Sequence, residues 1–247
     1  MKIKELKKAM QQSKNIAIFS HGTTVRIGAI QSALAKAGLT WKAFELGKGD
    51  KCPELGDYDG VILMGGPMGA YQTEDFPWLE TEMTYVEQMI QQGKPVFGIC
   101  LGCQLLAKMH EGDVFAGDKG FCVGFRHLYV HEPDETFGSE LKGLNGFSWH
   151  GDTYKLGEGC DRLITGTFYH EQGVKFGEKV YGVQFHPEVT EEIIRAWYMR
   201  DIQAGTLPEC AKPMHETLEE AAENLPPVHA WLEKFIRRLF VGTSANA

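Results

Sequence analysis

The sequence predicts an α/β protein: a doubly wound, mostly parallel sheet with flanking helices, a small antiparallel β extension and a helical C-terminal appendage. Three observations predict it. Apolar runs of strand length alternate with amphipathic helical stretches from Asn15 to Met109. The run from Pro95 to Ile99 passes directly into helix formers at Leu101, so Cys100 occupies a sharp strand-to-helix turn between Gly98 and Gly102. Beyond Met109 the alternation gives way to short β-branched and aromatic runs separated by glycine-containing turns.

At 247 residues, 43% hydrophobic and 23% charged, the chain is long enough for one large core with an appendage, and we divide it into a domain over 1–205 and a helical extension over 206–247 packed on it. A net charge of −8 argues against a broad nucleic-acid-binding surface. No apolar run approaches the roughly 20 residues of a membrane span and no secretory pattern is present, so no membrane association and a cytoplasmic location are expected. The six cysteines (Cys52, Cys100, Cys103, Cys122, Cys160, Cys210) are scattered, which suits a reducing compartment.

In chain order, Ile3, Leu6 and Met10 predict a short lysine-rich amphipathic helix over 1–14 that caps the domain. NIAIFS (15–20) is the first strand, His21 to Arg26 a polar loop at its carboxyl end, and Ile27, Ile30, Leu34 and Ala37 line a helix closed by Gly38. Thr40 to Leu46 is the second strand and DGVILM (59–64) a central one, running into the glycine-rich loop Gly65-Gly66-Pro67-Met68-Gly69. Leu79, Met83, Val86 and Ile90 mark the next helix, stopped by Gly93, and the Cys100 elbow follows. Short strands are expected at Val114–Ala116, Phe121–His131, Arg162–Phe168 and Val174–Phe185, the last ending in His186-Pro187-Glu188 before a helix with Ile193, Ile194 and Trp197 inward.

Gly205 to Pro213 is expected as a linker and His215 to Asn224 as an acidic helical stretch. A separate final helix should begin after Pro226-Pro227, its apolar stripe running from Val228 through Trp231, Leu232, Phe235 and Ile236 to Leu239. That stripe needs a partner, either the chain's own core or a second copy in a homo-oligomer.

A doubly wound topology brings the carboxyl ends of strands to one rim, and Cys100, His186 and Glu188 all fall at such ends. A cysteine at a helix N-terminus, a histidine to take its proton and a carboxylate to fix the imidazole tautomer compose a nucleophilic triad. His186 and Glu188, two apart on an extended segment, point the same way. An acyl oxyanion would take N–H donors from Leu101 and from a glycine of the Gly65-Gly66 loop.

GGPMG, GICLGCQ, the WHGD segment and YGVQFHPE, in that order and at these separations, resemble the class I glutamine amidotransferase family, most closely its stand-alone members similar to the glutaminase domain of GMP synthases, over roughly 15–202. The resemblance implies glutamine or another γ-glutamyl amide as substrate and a γ-glutamyl thioester on Cys100, with no cofactor and no metal. It narrows the oxyanion donors to Gly66 and Leu101, with Gly65 beside them. It also gives Gly65 a part in substrate binding, and Gln104 and the backbone of Trp149, His150, Gly151 and Asp152 the task of holding the substrate's amino-acid end. Family members pass ammonia to a fused or recruited synthetase, and the short stretch after 205 is not expected to supply one, so a partner subunit is implied. The stretch GFCVGFRHLYV (120–130) departs from the shorter turn expected there, which keeps γ-glutamyl peptides open as substrates.

Competing explanations remain at the level of residues. Cys100-Leu101-Gly102-Cys103 is formally a C-x-x-C, which would suit a thiol oxidoreductase or a reversible Cys100–Cys103 disulfide guarding the nucleophile. A catalytically idle binding or regulatory module of the same fold is the third. For zinc, Cys122 and Cys160 form no close pair and His127 with His131 on a strand is an ordinary packed pair. His21, His110, His170 and His229 are expected in surface or capping roles.

Overall fold

The computed structural model describes residues 13–22 and 27–242. Residues 1–12 of the helix expected over 1–14 and most of the loop expected at 21–26 therefore lie outside the described residues. An eight-stranded sheet organises the chain, in the order β2-β1-β3-β4-β12-β11-β10-β7. β1 (Asn15–Phe19), β2 (Thr40–Phe44), β3 (Gly60–Leu63), β4 (Val96–Ile99) and β12 (Val180–Val183) run parallel. Every residue of β3, β4 and β12 is buried, as continuous apolar runs covered on both faces must be. The antiparallel part continues this same sheet through β11 (Glu171–Gly177), β10 (Asp161–Thr165) and β7 (Tyr129–Val130).

Two expected strands are divided. The run 174–185 turns back at Glu178-Lys179, so it supplies both the antiparallel β11 and the parallel β12. The run 121–131 splits into β6 (Cys122–His127), which pairs with β8 (Asn145–His150), and β7, which pairs with β10. β8 and β9 (Asp152–Lys155) make the WHGD segment the junction of two strands, β9 pairing with β5 (Asp113–Ala116).

Alternate side chains of the central strands feed two core layers. One holds Ile16, Ile18, Ile62 and Phe97 under helix α1 (Ala29–Lys36) and the C-terminal helix. The other holds Ala17, Phe19, Val61, Leu63 and Val96 under α2 (Trp78–Gln91) and α3 (Leu101–Met109). On α2 the buried face is Leu79, Glu82, Tyr85, Val86 and Met89, rotated from the expected stripe so that Met83 and Ile90 are only half-buried and a glutamate lies inside. α4 (Glu191–Ala204) follows the last strand, its Thr190 hydroxyl accepting from the Ile193 N–H as an N-cap.

The C-terminal segment forms one helix, α5 (Met214–Ile236), continuing into a π turn over Arg237–Val241, rather than two pieces broken at Pro226-Pro227. Proline costs a helix its N–H bonds to residues four earlier, here the carbonyls of Ala222 and Glu223. Both residues are exposed, on the side of the helix where freed carbonyls meet solvent, while Leu225 and Val228 on either side of the prolines stay buried. Val228, Trp231, Leu232, Phe235 and Ile236 enter the same core layer as the sheet, Trp231 stacking on Phe235 and its indole N–H donating to the Phe137 carbonyl at 2.8 Å. The stripe's partner is the chain's own core. Trp231→Ala should therefore cost about 3–5 kcal/mol, read as a lower urea midpoint at unchanged slope.

Candidate active site

Parallel pairing fixes where the polar residues gather. Val183 on β12 sits beside Ile99 on β4, and the Cys100 N–H donates to the Val183 carbonyl at 2.8 Å. The chain leaving β4 at Cys100 and the chain leaving β12 toward His186 thus emerge side by side, with the Gly65-Gly66 loop leaving β3 on the other flank. Cys100 has φ 52°, ψ −106°, a left-handed backbone that costs a residue with a side chain on the order of 1–3 kcal/mol. The flanking glycines permit it by close approach. A Cβ at Gly98 would stand 2.6 Å from the Gly102 carbonyl, and one at Gly102 2.3 Å from the Leu63 carbonyl.

Cys100, His186 and Glu188 are 6%, 4% and 1% exposed. His186 Nδ1–H donates to Glu188 Oε1 at 2.8 Å, and its ring lies beside Cys100 and edge-on to Trp197. Burial works against the imidazolium, but the Glu188 carboxylate and Cys100 beside it push His186 up to about 10. The Glu188 backbone is held by the Ala29 N–H, which donates to its carbonyl at 2.8 Å, and the next carbonyl, Val189, accepts from His229 Nε2 at 2.8 Å. His229, expected in a surface or capping role, therefore ties α5 to the carboxylate's segment. It carried no sequence signal because its partner is a backbone atom 40 residues away.

A cavity of about 410 Å³ opens on these groups, lined by Gly65, Gly66, Cys100, Gln104, Trp149, His150, Gly151, Asp152, His186 and Glu188 among others. Every expected site residue except Leu101 lines it, and Leu101 supplies the first N–H of α3, which has no acceptor within the helix. Gln104 Nε2 donates to Gln184 Oε1 at 3.1 Å and lies 3.4 Å from the Asp152 carbonyl. His150 Nδ1–H donates to the Asp152 carbonyl at 2.8 Å, leaving Nε2 a buried acceptor with no partner among the described residues. Burial and the nearby His186 push His150 down to about 4, so it is neutral. Burial pushes the Asp152 carboxyl up, against the Tyr71 hydroxyl that donates to it.

Cys103 does not face Cys100. It packs in the opposite core layer with its thiol 3.1 Å from the Tyr154 hydroxyl, and burial holds that thiol far above its usual range. Both cysteines are free thiols. His21 is corrected as well: it is buried, with Nε2 on Glu82 and Nδ1 on the carbonyls of Met64 and Gly65. The sequence did hold a trace of this pair, a histidine at the carboxyl end of β1 and a glutamate at a helical spacing from Leu79.

The family model of class I glutamine amidotransferases matches residues 24–202. The chain belongs to this family. γ-Glutamyl peptidase 5 of Arabidopsis thaliana is 27% identical over 171 residues, 66% of this chain and 67% of that one. A subunit of the glutamine-hydrolysing GMP synthase of Natronomonas pharaonis is 34% identical over 168 residues, 65% of this chain and 84% of that one. Among solved structures, a glutamine amidotransferase from Thermotoga maritima superposes with a TM-score of 0.84 at 27% identity, covering 93% of this chain and 99% of that one. Two cavity residues, Thr206 and Pro208, lie beyond the matched segment, and Phe121, Trp197 and Arg200 line the cavity as well.

The carboxylate's hold on His186 is measurable. Its folded pKa lies above the unfolded value of about 6.5, so the stabilisation of the protonated form is complete below about pH 6.5 and is lost as pH rises through about 10. Glu188→Gln should lower the His186 titration midpoint in ring NMR spectra and flatten this decline in Tm between pH 6.5 and 10.

Proposed function

We propose that the chain hydrolyses the γ-amide of glutamine or a related γ-glutamyl compound by covalent catalysis. The observation that carries the proposal is the buried Cys100–His186–Glu188 arrangement at a strained elbow opening into the cavity. The Cys100 sulfur, its proton carried by His186, attacks the γ-carbonyl carbon, and the developing oxyanion takes N–H bonds from Gly66 and Leu101. His186 passes the proton to the departing nitrogen as the C–N bond breaks, leaving a γ-glutamyl thioester on Cys100. Water entering after the amine loses a proton to His186 and attacks the thioester; the products are glutamate and ammonia, and the proton remains with the Cys100–His186 pair. Glu188 keeps the imidazole oriented throughout.

Gln104 and the backbone of Trp149 to Asp152 hold the substrate's amino-acid end, and Gly65 keeps the loop close to the reacting centre. His150 Nε2 offers an acceptor on the same wall. In this proposal residues 1–205 carry the chemistry and 206–247 are an extension packed on them. Six free thiols suit a reducing cytoplasm. One relative is named as a subunit of GMP synthase, and by analogy a synthetase subunit would receive the ammonia when bound.

A γ-glutamyl peptidase is the second reading, favoured by a cavity lining that extends beyond the Cys100–His186–Glu188 group to Phe121, Arg200, Thr206 and Pro208. One relative bears that name. Purified chain under reducing conditions, assayed on L-glutamine and γ-glutamyl dipeptides, tests both. We expect release of ammonia or free amine that falls about a thousandfold or more in Cys100→Ala, and the preferred substrate separates the two activities. No release from any γ-glutamyl compound, together with a Cys100 no more reactive than the other cysteines, overturns the enzyme reading.

A further inference from the structure

Behind the loop that carries Gly66 lies a second buried histidine–carboxylate pair for which the triad has no use. His21 is 3% and Glu82 1% exposed, and His21 Nε2 lies 2.8 and 3.0 Å from the two carboxylate oxygens. Desolvating such a pair is expensive, and an apolar residue on the inward face of α2 would avoid the cost. On the other side of the ring, Nδ1 lies 2.9 Å from the Met64 carbonyl and 3.1 Å from the Gly65 carbonyl. Both partners are pure acceptors, so Nδ1 carries a proton and donates. Burial opposes a charge on this ring, but Glu82 and the two carbonyls outweigh it and raise the His21 pKa, and both nitrogens face acceptors.

The consequence lies in the peptide between Gly65 and Gly66. No described peptide is cis, and in a trans peptide the C=O and N–H point in opposite directions. With the Gly65 carbonyl drawn to His21, the Gly66 N–H is turned away from it. The loop is sandwiched in just that sense: a Cβ at Gly66 would stand 2.6 Å from His21 Cβ, whereas a Cβ at Gly65 would stand 3.0 Å from His186 Cε1 and 3.5 Å from Cys100 Cβ. The Met64 carbonyl also accepts from the Gly102 N–H at 3.2 Å, so one atom links His21, the loop and the elbow helix.

We propose that the His21–Glu82 pair is a latch that holds the Gly65–Gly66 peptide with its N–H toward Cys100, setting the oxyanion donor before substrate arrives. His21 is thus a positioning residue, and the inference rests on the acyl-transfer reading above, since the donor has a task only where an oxyanion forms.

Two half-replacements of the imidazole test it. The Asn amide nitrogen occupies the place of Nδ1 and reaches the two carbonyls, whereas that of Gln occupies the place of Nε2 and reaches only Glu82. We expect His21→Leu and His21→Gln to lower kcat for γ-glutamyl amide hydrolysis about 100-fold with KM within about threefold, and His21→Asn to recover about tenfold of that loss. Alkylation of Cys100 by iodoacetamide forms no oxyanion and should keep its wild-type rate in all three. Crystal structures should show the 65–66 peptide rotated in His21→Gln and unmoved in His21→Asn. Equal turnover in the Asn and Gln variants, alkylation that falls in step with kcat, or an unmoved peptide in His21→Gln overturns the latch. Wild-type protein inert on every γ-glutamyl compound would remove the hydrolase reading instead, and the peptide's orientation in the two crystal structures would then decide the latch alone.

Discussion

The tight seat of the elbow helix against the central strands is the constraint on which the site depends. Gly102 lies against the Leu63 carbonyl of β3 and Gly98 against the Gly102 backbone, contacts that no side chain could share. This closeness drives the backbone at Cys100 into the left-handed region, and it sets the first N–H of α3 beside the loop leaving β3. Such strain persists only when the surroundings over-determine it. Here they do: the strands beside the elbow are buried on both faces, and the N–H groups of Cys100 and Gly102 are bonded to β12 and to the loop after β3.

Two histidine–carboxylate pairs then stand on either side of the glycine loop, and their different partners give them different parts. His186 is held by a carboxylate through Nδ1 and lies beside a thiol that opens on the cavity, so its charge state is tied to chemistry. His21 spends its protons on a carboxylate and two backbone carbonyls, all away from the nucleophile, so its charge state is tied to the shape of the loop. In a buried, low-dielectric setting both pairs hold their geometry firmly, because breaking either would leave an uncompensated charge.

The C-terminal helix contributes more than bulk. Its Trp231 and Phe235 fill the core layer under β4, where Phe235 meets Phe97 edge-on, and its His229 anchors the carbonyl next to Glu188. The same element therefore stabilises the sheet and fixes the exit of the carboxylate. The segment before it adds Thr206 and Pro208 to the cavity lining.

Patterns of period two and 3.6, the G-x-C-x-G turn and the FHPE strand end were enough to place the parallel sheet, the elbow and the residues Cys100, His186 and Glu188, because each depends on local spacing. Other features escaped because they depend on partners distant in the chain. The sequence of 121–131 is one β-prone run, yet its halves pair with different strands, and 174–185 hides a hairpin that reverses the sheet's direction. Pro226 and Pro227 should break a helix, but packing of α5 on the sheet outweighs the lost bonds. His21 and His229 looked unattached because their partners, Glu82 and the Met64 carbonyl for the one and the Val189 carbonyl for the other, sit 61, 43 and 40 residues away and are in part backbone atoms. Spacing along the chain singled out Cys100, His186 and Glu188 as candidates for the chemistry. Tertiary structure alone decided which buried charges stand behind the loop, since that depends on where the strands end in space.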